Sequence, residues 1–321
     1  MRFARCVVAA LAVLGTVVPF AASAQAFPNK PIRIVVAYGA GSLPDQIARL
    51  LGKQLQDSLA QPVVIDNKAG ALGNIGATEV ARSAPDGYTL LLTTNSIQAA
   101  NVGLFKKLPY DPVKDFTPVV MAARTSPMLL VREDFPARDI KEFLAVAKTR
   151  KGGLNGGYGS SGVQVTMAKL KAAGQFSSVD APYRSVPLAV NDVIAGDLDY
   201  TFADLAISLA QIKGGKLKGL GVSSAQRSSL APDIAAIAET IPGYSTGFWY
   251  GLVAPAGTPK DVVTKISNAV LANLNKPEFK THFGNFGVEV APMGPEPFGE
   301  FIKAEIVKWT ADIKLAGIEP Q

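Results

Sequence analysis

The chain has 321 residues, a formal charge of +6, one cysteine and one histidine. So few thiol and imidazole groups exclude a metal centre built from several Cys or His ligands. The basic excess is mild and diffuse, with no Lys/Arg block dense enough for nucleic acid, and it suits an acidic small molecule.

Residues 1–24 read as a signal peptide. Arg2 and Arg5 open it, Val7 to Phe20 form its apolar stretch, and Ala22-Ser23-Ala24 makes a small-residue cleavage site, with Ala24-Gln25-Ala26 as a second candidate. The stretch is short for a membrane span, and Cys6 precedes it, unlike the cysteine that ends a lipoprotein leader. Removing residues 1–24 takes away two arginines, no acid and the only cysteine, leaving 297 residues at a charge of +4. The expected product is exported, free of disulfides and long enough for one or two good cores.

Ile32–Ala37 is an apolar, β-branched run that predicts a strand. It leads through Tyr38-Gly39-Ala40-Gly41-Ser42 into a helix over 43–59, where Ile47, Leu50, Leu51 and Leu55 recur at helical spacing. Ser42 and Asp45 stand in the S-x-x-D relation of a capping box, and Pro44 is tolerated in a first turn. A small-residue turn before a helix start bares N–H groups at the positive end of the dipole, which predicts a seat for an anion. Strands follow at Pro62–Asn67 and Thr89–Thr94, with a helix over 75–83 between them. After a strand at Met128–Val131 and a helix over 139–149, a second Gly-rich turn spans Gly156-Gly157-Tyr158-Gly159-Ser160-Ser161-Gly162. Helices over 163–173, 187–195, 206–213 and 259–274 then alternate with strands at Ala181–Tyr183, Tyr200–Ala203, Gly219–Ser223 and Gly251–Ala254. A last helix, over 297–316, carries the stripe Phe298, Phe301, Ile302, Ile306, Trp309 and Ile313, the pattern of a core-facing side.

This alternation predicts an α/β protein with mostly parallel sheets flanked by helices. Loops near 124–128 and 243–248 divide it into two domains. Domain 1 takes residues 25–125 and 247–321, domain 2 takes 126–246, and the two crossings form a hinge beside a ligand cleft.

Catalytic motifs are sparse. His282 is the single imidazole and no G-x-S-x-G elbow accompanies it. Gly157–Gly162 matches G-x-G-x-x-G with Asp180 some way downstream, but it lacks a long preceding strand, and exported proteins rarely meet nicotinamide nucleotides. No paired carboxylates can be assigned from spacing. The reading is a binding protein without catalytic residue, cofactor or metal.

Several segments together are more specific than any of these patterns. They are Pro28-Asn29-Lys30-Pro31-Ile32-Arg33-Ile34-Val35-Val36, Gln61-Pro62-Val63-Val64-Ile65-Asp66-Asn67-Lys68-Ala69-Gly70, Gly73-Asn74-Ile75-Gly76, Ala84-Pro85-Asp86-Gly87-Tyr88-Thr89, Leu108-Pro109-Tyr110-Asp111-Pro112 and Ala254-Pro255-Ala256-Gly257-Thr258-Pro259. In their number and order the chain resembles the periplasmic solute-binding proteins of tripartite tricarboxylate transporters, the Bug receptors. The resemblance implies a type II periplasmic-binding (Venus flytrap) fold. It implies a monomeric receptor in the periplasm that closes on a small carboxylate and delivers it to the transporter's membrane subunits. Two rival readings share that fold: a sensory partner of a membrane signalling system, and an exported enzyme.

The resemblance also maps a site. Its first loop, holding a carboxylate through backbone N–H groups and bridging waters, corresponds to Tyr38, Gly39, Ala40, Gly41, Ser42 and Asp45, with Pro44 where a hydroxyl residue is usual. Its second corresponds to Thr93–Gln98, supplying Thr94, Asn95, Ser96 and Gln98, the last where a His is common. In domain 2 the Tyr-Gly-Ser-x-Gly loop corresponds to Tyr158, Gly159, Ser160, Ser161 and Gly162. The segment leading to Pro182-Tyr183-Arg184 is shorter than usual, and Tyr183 is placed at the ligand. Asp204 stands where Asn is frequent and has two readings, a contact to a ligand amine or hydroxyl and a cap on the next helix. Arg184 is either a carboxylate contact or a surface-paired cation. Phe248, Trp249 and Tyr250 are either a cleft wall or hinge packing.

Overall fold

The computed structural model describes residues 27–321, so the signal-peptide reading falls outside the described residues. A first sheet begins with parallel strands. β1 (Ile32–Val36) pairs with β2 (Val63–Asn67), Ile32 facing Val63, and on its other side with β3 (Thr89–Thr94), Ile34 facing Leu90. Helices α1 (Leu43–Leu59) and α2 (Asn74–Ala81) supply the crossovers that parallel neighbours require. Ile47, Leu51 and Leu55 of α1 are buried, as their spacing predicts. A π-helical turn, Ser96–Ala100, then leads into the short α3 (Asn101–Leu104).

β4 (Phe116–Thr125) carries the chain out of this sheet, and two residues later β5 (Met128–Arg132) enters a second one. There follow α4 (Ile140–Thr149), β6 (Leu154–Tyr158), α5 (Ser161–Gly174), β7 (Ser178–Pro182), α6 (Val186–Ala195), β8 (Tyr200–Ala203), α7 (Leu205–Lys213) and β9 (Leu217–Val222). β10 (Phe248–Pro255) returns to the first sheet between β3 and β4, and α8 (Lys260–Leu274), α9 (Pro277–Asn285), β11 (Glu289–Met293) and α10 (Pro295–Leu315) finish the chain. The strand orders are β11-β4-β10-β3-β1-β2 and β7-β6-β8-β5-β9.

Both sheets are mixed, which corrects the expectation of mostly parallel ones. β6 is parallel to β7 and β8, but β5 is antiparallel to β8 and β9, and β10 is antiparallel to β3 and β4. The reason is the double crossing: β4 takes the chain out and β10, hydrogen-bonded beside it, brings it back. β4 itself escapes sequence reading because Pro118 interrupts it, and Pro is rare inside strands. It is accommodated opposite Val253, where the register of β4 and β10 shifts. The second Gly-rich turn is also corrected, since Gly156 and Gly157 sit inside β6, opposite Tyr200 and Thr201 of β8. Only from Gly159 does the chain turn.

The core follows the periodicities. Phe298, Ile302, Trp309 and Ile313 of α10 are buried, with Phe301 and Ile306 packed at the margin. Along β5 the side chains alternate: Leu129 and Val131 join the main core, Met128 and Leu130 a smaller one with Ala189, Val193 and Leu205. α5 is anchored to the return segment and α10 by Thr166 Oγ1–Thr246 Oγ1 (3.0 Å) and Lys169 Nζ–Asp312 Oδ1 (2.9 Å). No helix among the described residues is long and apolar enough to cross a membrane.

Candidate functional site

In both sheets the parallel strands end on the side where the two sheets face each other, and a cavity of about 40 Å³ lies there. Its walls come from both halves. The end of β1 and start of α1 contribute Tyr38, Ser42, Leu43 and Pro44, and the end of β3 contributes Thr94, Asn95 and Ser96. From the second sheet come Gly159, Ser160 and Val163 at the start of α5, Ser185, Val186 and Pro187 at the start of α6, and Asp204 and Ile207 at the start of α7. Phe248 and Tyr250 of β10 close one side. Four helices thus present their N-terminal ends to one small space, as expected of a ligand crevice at the carboxyl ends of strands. Tyr38 and Gly159 also border an adjoining cavity of about 560 Å³, with the loop 69–73 on one side and Pro182, Tyr183 and Arg184 on the other.

Close packing positions these starts. A Cβ on Gly159 would overlap the Ser185 carbonyl carbon and the Val186 nitrogen, so the α5 and α6 starts touch there only because residue 159 is glycine. Ser160 accepts from the Val163 N–H at 3.3 Å and caps α5. Ser42 does not cap α1: its hydroxyl donates back to the Gly39 carbonyl at 2.7 Å.

Burial sets the electrostatics. The Tyr38 and Thr94 hydroxyls are 2.9 Å apart, and burial pushes the Tyr38 phenol up. Asp204 is 7% exposed. Burial pushes its carboxyl up to about 6, against the lowering effect of the Tyr250 hydroxyl, which donates to Oδ1 at 3.2 Å. Tyr250 is itself pushed well up by burial and by the Asp204 charge. No lysine or arginine lines this cavity among the described residues.

Of the residues placed at the ligand from sequence, Tyr38, Ser42, Thr94, Asn95, Ser96, Gly159, Ser160 and Asp204 line the cavity. The others do not. Gly39, Ala40 and Gly41 lie outside its walls. The Gly41 N–H donates to Asp45 at 2.9 Å, while Arg49 Nε (3.0 Å) and Asn67 Nδ2 (3.0 Å) donate to the same carboxylate. Burial would raise the Asp45 carboxyl, but these donors outweigh it and hold it below its usual range. Asp45 therefore ties down the loop. Gln98 points away, because two positions along a helical turn from Ser96 is roughly its opposite face, and it borders a separate cavity with Pro112 and Pro295. Tyr158 ends β6 outside the walls, and Ser161 turns aside to donate to Asn101 Oδ1. The Gly162 N–H goes to Ser96 Oγ at 3.0 Å, and Tyr183, on the rim of the larger cavity, donates its hydroxyl to Asp192.

The open alternatives divide. Asp204 occupies the position before α7 but makes no capping bond. Phe248 and Tyr250 wall the cavity, whereas Trp249, on the opposite face of β10, packs against Phe298 and Phe301 and donates to Glu305 at 2.9 Å. Arg184 is exposed at the rim of the larger cavity. Asp180 is engaged by Lys171, Ser178 and Tyr200 within its own half, and His282 is exposed on α9 with Nδ1 beside the Glu278 carbonyl, so neither belongs to the site. Sequence reading missed Ser185, Val186 and Pro187. A Ser followed by Pro within the first helical turn is the signal that marks that start.

A family model described as the tripartite tricarboxylate transporter family receptor matches residues 47–318. Among solved structures, a Rhodopseudomonas palustris protein determined with adipate superposes with a TM-score of 0.89 at 30% identity, covering 92% of this chain and 100% of the other. The periplasmic binding protein BugD gives 0.86 at 31% identity over 92% and 100%. MatC from Rhodopseudomonas palustris with bound malate gives 0.83 at 30% over 89% and 100%. With its α/β architecture, crevice and sequence all in agreement, this chain belongs to the tripartite tricarboxylate transporter receptor family, whose members are solute-binding receptors.

Proposed function

We propose that this chain is a periplasmic receptor that takes a small carboxylate-bearing solute into the crevice between its two sheets and hands it to the membrane subunits of a tripartite transporter. Residues 1–24 are its export signal, 25–125 with 247–321 form one domain, 126–246 form the other, and the paired crossings β4–β5 and β9–β10 serve as the hinge. The observation that carries this reading is the convergence of the α1, α5, α6 and α7 starts on one buried cavity. Each start adds the positive end of a helix dipole, and together these stabilise an anion where no cationic side chain stands, although the Gly162 and Val163 N–H groups of α5 already bond to Ser96 and Ser160. The hydroxyls of Ser42, Thr94, Ser96, Ser160 and Ser185 and the Asn95 amide supply further polar contacts that offset the desolvation of a buried carboxylate. The relatives solved with adipate and malate support a small carboxylate as the solute class.

A thermal-shift screen of the purified protein against mono-, di- and tricarboxylates tests it. A ligand at about 100 times its Kd stabilises the native state by about 2.7 kcal/mol, so a true solute raises the melting temperature measurably. A flat response to every carboxylate, with hits in another class, overturns the reading.

A further inference from the structure

The proposed carboxylate seat contains a carboxylate of its own. Asp204 is buried at the cavity wall, and the Tyr250 hydroxyl is the side chain that donates to it. Every other polar side chain of that wall is neutral at pH 7: the Tyr38 and Tyr250 phenols, the serine and threonine hydroxyls and the Asn95 amide. A purely anionic solute would therefore be buried next to a like charge with no cation to offset it, in surroundings where such repulsion is strongest. An ammonium group on the solute removes that conflict. Asn95 also lines the wall, but its Nδ2 is sealed beside Gly162 without a hydrogen-bond partner, so the donors left to a solute are the hydroxyls and the helix starts. An acceptor for an ammonium, Asp204, thus lines one small cavity together with the hydroxyl-bearing Ser42, Thr94, Ser96, Ser160 and Ser185.

We propose that Asp204 is a specificity residue that selects a solute carrying an ammonium group close to its carboxylate, a small amino acid or similar zwitterion. This rests on the receptor reading above and narrows it. The ammonium pairs with Asp204 beside Tyr250, the carboxylate lies against the helix starts and the wall hydroxyls, and the rest of the solute extends past Tyr38 and Gly159 into the larger cavity. The small cavity of about 40 Å³ holds roughly three waters' worth of atoms, enough for the ammonium and its carbon, while the remainder has about 560 Å³ beyond it. The partial rise of the Asp204 carboxyl leaves it mostly ionised at neutral pH, where an ammonium partner has most effect.

Calorimetric titration at pH 7.5 with matched pairs tests the inference: succinate against aspartate, glutarate against glutamate, and propionate against alanine, with malate and lactate as hydroxyl counterparts. At least one amine-bearing member is expected to bind tenfold or more tighter than its carboxylate-only match. Asp204→Asn is expected to reduce that binding tenfold or more without weakening the match, with circular dichroism confirming the fold. The inference is overturned if the carboxylate-only or hydroxyl members bind as tightly as the amines in the wild type, or if Asp204→Asn leaves the preference unchanged. If no member of any pair binds, this inference is overturned, while the receptor reading stands or falls on the wider carboxylate screen.

Discussion

The backbone N–H of Gly162 donates to Ser96 Oγ at 3.0 Å, joining the start of α5, which lies between two strands of the second sheet, to the turn after β3 in the first. Next to it, Ser161 donates to Asn101 Oδ1 across the same boundary. Both bonds are buried, so their loss leaves groups that water cannot reach. Ser96→Ala is expected to cost about 1–3 kcal/mol in denaturant unfolding. Gly162→Ala acts differently. Its Cβ would stand 2.7 Å from Asn95 Nδ2 and 3.0 Å from the Phe248 ring, wedging the two halves apart. Its main effect is expected on ligand affinity, with a smaller loss of stability; equal affinity for wild type and variant would rule out this contact as part of the closed crevice.

Gly159 is the tightest approach in the site. A methyl group there meets backbone atoms of Ser185 and Val186, which cannot rotate away as a side-chain tip can. Gly159→Ala is expected to displace the start of α6, lower stability by about 1–3 kcal/mol and abolish solute binding. A variant that melts and binds like wild type would show that α6 does not help to form the site.

Asp204 gives a pH signature with a definite sign. Its folded carboxyl titrates near 6, above the ordinary 3.8, so between those values the folded chain holds more protons than the unfolded one. The penalty for burying the charge therefore grows as pH rises from about 4 to 6, is complete above that, and disappears below about 4. A shift of that size corresponds to roughly 3 kcal/mol at most. Asp204→Asn is expected to be more stable than wild type at pH 7–8, with the gap closing as pH falls toward 4. A stability difference independent of pH would contradict the burial account.

Glu305 holds the return crossing. Its Oε2 accepts from both Trp249 and Trp309 at 2.9 Å, and the residue is 8% exposed. Glu305→Leu strands two buried indole N–H groups, and a loss of about 2–5 kcal/mol in thermal or urea unfolding is expected. Since Trp249 faces away from the cavity, solute affinity per folded molecule is expected to stay close to wild type.

The strands β1 and β3, the helix α1 and the stripe of α10 are legible in the chain because each is a local periodicity set by which face is buried. The family motifs add the receptor architecture, and they name eight residues that line the cavity, among them Tyr38, Asn95 and Asp204. Other assignments depend on neighbours distant in sequence. Whether a Gly-rich run is a turn or part of a strand depends on its pairing partner, so Gly156 and Gly157 lie in β6 beside Tyr200 and Thr201. Whether Asp45 faces a ligand or ties down a loop depends on Arg49 and Asn67 arriving beside it. The anion seat expected at the first helix start is a case of both. By itself the sequence determined that this start follows a strand end and offers backbone donors, which is a matter of local spacing. Only the tertiary structure decided that the Gly41 N–H is already taken, that three more helix starts converge on the same space, and that a buried acid stands among them, because burial and convergence are properties of the packed chain.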